Sequence, residues 1–349
     1  MDLFDLSTLP RNLLEMALSK LSTFDLINYS NCSPKCTLDV KNFMRQRKVR
    51  FEIYSDERPS INVINHENPH KDEEGDCLFI SGPVDGRFRT EVIMFGGRKI
   101  NAHLDKEYIG AAGKNPISGF FIFAKHLNEI LNCPPIYRLE ISKQDFKETK
   151  RIIDWINKRG ASEVELCNIT REAVQMTNTD LSYILDHVNI RAALNIRCEV
   201  QEDFQNDLPK TLKHFSCAYS KWITLDQLIS PHFEFIQVHK TGFTNQDMSA
   251  YVEKVLAGEL PNLIYFEAQI QGIDIDEIAN GVRTVEKSEY DFECPVDYKK
   301  YLTQFIVING FYNFKRDDGM IVTIGTGWIF AEEPAFQIFV RSEYDLYPH

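Results

Sequence analysis

The sequence has little of what most functional classes require. Cysteine is sparse, eight residues in 349, far too few for a disulfide-built scaffold. Cys77, Cys198 and Cys217 fall in strand-like apolar runs, so the cysteines read as reduced core residues. Long apolar runs are missing too. Uncharged stretches such as Leu302 to Phe314 fall short of the ~18 residues that cross a bilayer, and that one carries Asn309 and Gly310; no membrane partner is expected. The opening Met1-Asp2-Leu3-Phe4-Asp5 is acidic and lacks the basic start and apolar core of a secretion signal. A cytoplasmic or nuclear location follows as the expectation. Basic residues are outnumbered, 39 Lys and Arg against 51 Asp and Glu, for a net charge of −12. Such a surface repels phosphate backbones and argues against a nucleic-acid ligand.

Catalytic motifs are equally scarce. No phosphate loop and no nucleophile elbow occurs, and Gly325-Thr326-Gly327 runs into Trp328 where a dinucleotide fingerprint needs a third glycine. Cys32 and Cys36 stand four apart with no second ligand pair, and Cys32 is expected on the apolar side of a helix. His66, His70 and Cys77 fall in or beside a charged loop with nothing to hold them in register. Asp274, Asp276 and Glu277 lack the glycine and terminal glutamate of a calcium loop and read as an exposed helix start. No catalytic residue, metal or cofactor is expected; an enzyme with residues scattered through the chain would have to reveal itself as a deep pocket.

What is present is core. With 43% hydrophobic residues, 24 Phe and 14 Tyr, the chain can bury a large interior, and at ~150 residues per domain its length allows two domains. The first forty residues carry Leu14, Ala17, Leu18 and Leu21 at helical spacing, then Ser22-Thr23 as a stop and a new cap, then Ser33-Pro34 as a second break. Three short helices follow from this. Val49 to about Asp105 alternates with period two and predicts antiparallel strands. Beyond Ile117, helices alternate with short strands. Helical spacing places Phe146, Ile153 and Ile156 on one face, Leu181, Ile184, Leu185 and Val188 on another, and Met248, Tyr251, Val252, Val255 and Leu256 on a third. Gly160 and Gly258 stand at C′ positions. The strands are Ser162 to Leu166, Leu194 to Val200, His214 to Tyr219, Phe233 to His239 and Leu263 to Ile270, separated by ~20 to 30 residues, the range of a solenoid unit. After about Gly281 the period-two pattern returns, with Asp317-Asp318-Gly319 as a hairpin turn. The fold class is therefore α+β or α/β: three helices, then a leucine-rich-repeat-like array with β-rich flanks.

Leu9-Pro10, Leu13-Leu14, Leu18, Leu21, Asp25-Leu26-Ile27, Ser30 and Cys32-Ser33 resemble the F-box. Asp247 to Leu256 with Pro261-Asn262-Leu263 is similar to the type-2 F-box-associated domain. Gly310 to Ile324 resembles a hairpin found near the end of such proteins. The resemblance implies an F-box at 7–48 and a recognition region at 49–349. The latter divides into a β-rich opening at 49–116, helix–strand units at 117–281 and a β-rich cap at 282–349. It further implies a non-catalytic substrate receptor of a Skp–cullin–F-box ubiquitin ligase, which docks the Skp-type adaptor, and through it cullin, by Leu9, Pro10, Leu13, Leu14, Leu18, Leu21, Leu26 and Ile27. The alternative is a leucine-rich-repeat-like interaction scaffold without a ubiquitin role. If Leu194, Ile196 and Cys198 face the core, strand alternation turns Asn195, Arg197 and Glu199 outward, with Ser216, Gln237, His239, Glu267 and Gln269 beside them. That strip is the expected contact surface for an unidentified protein substrate.

Overall fold

The structure is a computed structural model; it describes residues 8–65, 77–82, 90–105, 108–112, 115–142, 146–170, 176–279, 286–288, 292–293, 307–329 and 333–342. The loop from His66 to Asp76, the start of the expected Phe305–Ile308 strand, and Phe330 lie outside them. The chain divides into two compact units, residues 1–175 with 186–189, and residues 176–185 with 190–349.

The first unit opens with three helices, α1 (Arg11–Leu18), α2 (Thr23–Ser30) and α3 (Pro34–Met44). The side chains of Ser22 and Ser33 accept from the N–H of Asp25 and Cys36 and so cap α2 and α3. Pro34 occupies the first turn, where its missing N–H leaves no hydrogen bond unmade. Leu18, Leu26, Ile27, Val40 and Met44 are the buried side of the three helices. Six strands follow, β1 (Val49–Ser55), β2 (Ser60–Asn65), β3 (Cys77–Gly82), β4 (Glu91–Phe95), β5 (Arg98–Leu104) and β6 (Tyr108–Ala112), then α4 (Pro116–Ile130), β7 (Ile136–Ile141), α5 (Phe146–Asn157) and β8 (Glu163–Ile169). Pairing runs β4-β5-β6-β3-β2-β1-β7-β8. The expected antiparallel pattern holds for β1–β2, β2–β3, β4–β5 and β5–β6. It fails where β3 pairs with β6 and β1 with β7, both parallel. Period-two alternation says which face a side chain takes and nothing about strand direction, which the crossovers decide.

Helix α4 lies on β3. Phe79, Phe95 and Phe123 meet there with ring centroids 5.0 to 5.7 Å apart. A Cβ on Gly119 would stand 2.1 Å from Ser81 Oγ, so this close approach of helix and strand requires glycine. His126 of α4 reaches the N-terminal helices: its Nε2 is 3.0 Å from Ser30 Oγ, and its ring stands edge-on to Phe95. The Gly96 N–H donates to Asn31 Oδ1 at 3.1 Å, in a β4–β5 turn that Gly96 and Gly97 make with positive φ.

The second unit contains α6 (Asn178–His187), β9 (Asn189–Ile196), β10 (His214–Cys217), β11 (Phe235–Val238), α7 (Asn245–Leu256), β12 (Tyr265–Ala268), α8 (Ile275–Ala279), β13 (Glu286–Ser288), β14 (Phe292–Glu293), β15 (Val307–Lys315), β16 (Ile321–Ile329) and β17 (Glu333–Arg341). Strands β9, β10, β11 and β12 pair in parallel in that order; β17 adds antiparallel to β12, then β16, then β15. The Asp317-Asp318-Gly319 turn joins β15 to β16, with Gly319 at φ +88°. Helix α7 is closed by a Thr244–Asp247 capping box and ended by Gly258 at φ +77°. Its Tyr251 stacks on Phe266 of β12, centroids 4.3 Å apart, and both rings are fully buried.

Several expectations need correction. Within β9 to β12 only the β11–β12 connection is an α-helix; β10–β11 holds one 3-10 turn (Leu225–Leu228) and β9–β10 none. Phe204, Leu208, Leu212, Trp222 and Leu228 bury themselves from these irregular stretches, so no helix is needed to cover the sheet there. Gly160 is not at a positive φ; α5 ends instead in tightened turns, Lys158 N–H to Trp155 O and Arg159 N–H to Ile156 O. Cys32 is exposed, because α2 stops at Ser30 before the apolar stripe reaches it.

Burial holds the His126 pKa down at about 4, with Glu129 opposing. His126 is therefore neutral in the fold and protonates in the unfolded chain near its ordinary 6.5. Its contribution is complete at neutral pH and is lost as pH falls from about 6.5 towards 4. Denaturant titrations should show His126→Gln removing about 2 kcal/mol of the stability difference between neutral pH and about pH 5. An unchanged difference would mean that His126 is not a neutral core group.

Candidate functional site

Strand register in the second unit builds one polar row. Asn195 of β9 pairs with Ser216 of β10, Ser216 with Gln237 of β11, Gln237 with Glu267 of β12, and Glu267 with Gln337 of β17. Their apolar neighbours Leu194, Phe215, Ile236, Phe266 and Ile338 take the opposite face and are buried, as alternation demands. The structure thus brings together four predicted side chains and adds Gln337, which no local pattern links to them. Asn195, Ser216 and Gln237 are half-buried.

Glu267 differs from its expectation. It is 4% exposed rather than solvent-facing, because β12 is not an edge: β17 flanks it and supplies Gln337. Its carboxylate accepts from the Tyr265 hydroxyl and from Gln337 Nε2 at 3.1 Å, and Gln237 Nε2 stands 3.4 Å away. His239 Nε2 lies 2.9 Å from Glu267 Oε1. A buried carboxylate is tolerated when donors saturate it, and this one is surrounded. Gln269 is half-buried, its Oε1 accepting the Lys240 N–H at 2.9 Å. Arg197 and Glu199 are exposed beyond the end of β9 and do not belong to the strand row. Beside the polar row, on the same face, His214 stacks on Phe235 at 4.9 Å and Tyr265 packs on Phe339 at 4.8 Å. Burial holds His214 down at about 4, opposed by Glu234 and reinforced by Lys213.

A second surface escaped sequence reasoning. The connections after β9 and after β10 enclose an open groove of about 1150 Å³. Phe204 and Trp222, edge to face at 4.8 Å, line it, with Pro231 and Phe233. Asp207, Asp226 and the Lys221–Glu202 ion pair, 2.5 Å long, also line it. None of the eight predicted strip residues lines it. The signal available in the sequence was the aromatic and proline content of two stretches that lack helical spacing. Among the described residues no group of three or more His, Cys, Asp or Glu side chains could hold a metal ion. No helix among them is long and apolar enough to cross a membrane.

In the N-terminal helices the structure divides the predicted set. Leu14, Leu18, Leu26 and Ile27 are buried, at 8, 1, 4 and 0% exposure, and serve the interior of the first unit rather than an outside surface. Leu9 and Leu21 are half-buried, while Pro10 and Leu13 are exposed. Met16 at 64% and Leu38 at 55% are exposed apolar residues outside the predicted adaptor set.

Residues 203–268 match the family model described as F-box associated. The matched stretch contains β10, β11, α7 and β12 and most of the groove lining. No curated protein and no solved structure matches the chain.

Next to the polar row, Gly327 of β16 packs closely on Gln337: a Cβ there would stand 2.2 Å from Gln337 Oε1. Gly327→Ala should push Gln337 off Tyr265 and Glu267 and cost about 1 to 3 kcal/mol in chemical denaturation. Adding Gln337→Ala should make the same Gly327→Ala change nearly neutral; additive losses would show that the clash lies elsewhere.

Proposed function

We propose that this protein is the substrate-recognition subunit of a Skp–cullin–F-box ubiquitin ligase. In this reading residues 7–48 form the F-box that docks a Skp-type adaptor and, through it, cullin. Residues 49–349 form the F-box-associated region that holds a target protein. The observation that carries the reading is the F-box associated match at 203–268. It falls on β10, β11 and β12, which continue the parallel pairing of β9; the four strands start at 189, 214, 235 and 265, 25, 21 and 30 residues apart. Those spacings support a degenerate leucine-rich-repeat-like array, capped by the β15–β17 meander.

The N-terminal helices support the adaptor role in a restricted form. An apolar residue left exposed on a folded helix is available to a partner, whereas one in the core is not. Leu9, Pro10, Leu13 and Leu21, joined by Met16 and Leu38, are the anchors; Leu14, Leu18, Leu26 and Ile27 hold the helices in shape. On the recognition side, Asn195, Ser216, Gln237 and His239 offer donors and acceptors aligned across adjacent strands, suited to the polar groups of a protein surface. The chain performs no bond chemistry in this reading; it brings a target to a ubiquitin-charged partner enzyme inside the cell.

Leu13→Ala with Leu9→Ala and Pro10→Ala should weaken adaptor binding at least about tenfold in a pull-down or calorimetric titration, with the thermal unfolding of the protein little changed. Full adaptor binding by that variant would remove the ubiquitin-ligase role. Asn195→Ala, Ser216→Ala and Gln237→Ala together should spare the adaptor and lower capture of target proteins, read by affinity capture and mass spectrometry under proteasome inhibition. Undiminished capture would exclude the row as the recognition surface.

A further inference from the structure

Cys133 occupies an unusual place in the first unit, far in sequence from the proposed adaptor and substrate surfaces. It sits in the turn Asn132-Cys133-Pro134-Pro135 between α4 and β7, and both Asn132 and Cys133 have positive φ, 57° and 58°. Local bonds hold the turn in that conformation: the Cys133 N–H donates to Asn128 O at 2.9 Å, and Asn132 Nδ2 donates to Lys41 O at 2.9 Å. The sulfur is half-buried.

The second observation is Arg159, just past α5. It is 8% exposed. A guanidinium stays charged at any ordinary pH, and a buried cation needs an anion close by. No carboxylate among the described residues touches it. Its Nε donates to Asn128 Oδ1 at 2.9 Å, its Nη2 to Pro134 O at 2.5 Å and towards Cys133 Sγ at 3.9 Å, and its Nη1 is buried without a hydrogen-bond partner. Phe51 and Trp155 cover its faces at 5.2 and 5.0 Å. Among the described residues, the one group in contact with Arg159 that can become negative is the Cys133 sulfur. Among the described residues Arg159 is also the only charged group acting on that sulfur, which additionally faces the backbone N–H groups of Ala161 and Gly160. Burial alone pushes the thiol up, but the Ala161 N–H, the Arg159 charge and the Gly160 N–H outweigh it and bring the pKa below the ordinary value. Cys167, Cys198 and Cys217, buried with no cation acting on them among the described residues, are pushed up to between about 11 and 12.

We propose that Cys133, set against the buried Arg159, is a site of thiol–disulfide exchange with small disulfides of the glutathione type. The Cys133 sulfur attacks one sulfur of the disulfide, the old S–S bond breaks as the new one forms, and the second half departs as a thiolate. Two sulfur–sulfur partners exchange with no net oxidation beyond that carried by the disulfide. Modification removes the negative charge opposite Arg159 and places a bulky polar group in the α4–β7 turn, so it should loosen that turn and the end of α5.

Alkylation of the whole protein by iodoacetamide, followed peptide by peptide with mass spectrometry, tests this. Cys32 is the internal reference, since it is exposed and its thiol is pushed up by partial burial and by Cys36. About two pH units below the ordinary thiol pKa, Cys133 should react at least about tenfold faster than Cys32. Arg159→Met should shift the Cys133 profile to higher pH, and Arg159→Lys should shift it less. Because Arg159→Met can unfold the turn, the ultraviolet thiolate absorption of the unaltered protein minus that of Cys133→Ser gives the ionisation independently of access and of Arg159 variants. A Cys133 absorption that rises only at the ordinary thiol pH or above it overturns the assignment. Absorption without a mixed disulfide after incubation with glutathione disulfide overturns the exchange site.

Discussion

The second unit depends on the register of parallel strands. Each strand presents alternate side chains to opposite faces, so pairing Asn195, Ser216, Gln237, Glu267 and Gln337 in one row commits Leu194, Phe215, Ile236, Phe266 and Ile338 to the other. A slip of one residue in β12 would turn Phe266 away from Tyr251 and drive Glu267 against α7, where the buried residues are Met248, Tyr251, Val252 and Val255. The apolar face therefore sets the register, and the polar row inherits its alignment from it. Around Glu267 the row has its own constraint. A carboxylate at 4% exposure is tolerable only while Tyr265, Gln337 and His239 remain in place. The Asn195–Ser216–Gln237 end of the row is half-buried instead.

The first unit is organised around α4. Its phenylalanines close over β3 and β4, Gly119 allows the helix to approach Ser81, and His126 reaches Ser30 of α2. The N-terminal helices are thus joined to the sheet by specific polar contacts, including Asn31 with Gly96 and Asn132 with Lys41 O, as well as by apolar burial. Leu13, Met16 and Leu38 remain exposed on helices whose buried sides are already occupied.

How far the site could be read from the chain varies residue by residue. The alternation in β9 to β12 was visible, because strand parity is written directly into the spacing of Leu194, Ile196, Phe215, Cys217, Ile236 and Val238. Strand ends were not: Arg197 and Glu199 fit the same alternation, yet β9 stops at Ile196. The F-box-like leucines illustrate a second limit. Leu14 and Leu18 are indistinguishable in type from Leu13, and only the packing of α1, α2 and α3 separates those that hold the core from those that face outward. Arg159 and Cys133 show a third, since nothing at positions 26 apart announces that one will be the other's counter-charge.

Hydrophobic periodicity, caps and turn residues were enough to determine that three short helices come first, where α5, α6 and α7 lie, that Gly258 and Gly319 take left-handed conformations, and that the acidic chain lacks the motifs of common enzymes. These are local properties, decided within a few residues by backbone sterics and side-chain hydrogen bonds. The tertiary structure alone decided that β1 runs parallel to β7, that β17 covers Glu267, that Phe204 and Trp222 share a groove, and that Arg159 meets Cys133. Each joins residues distant in the chain, and their meeting depends on how the sheet and its crossovers close, which no window of sequence contains.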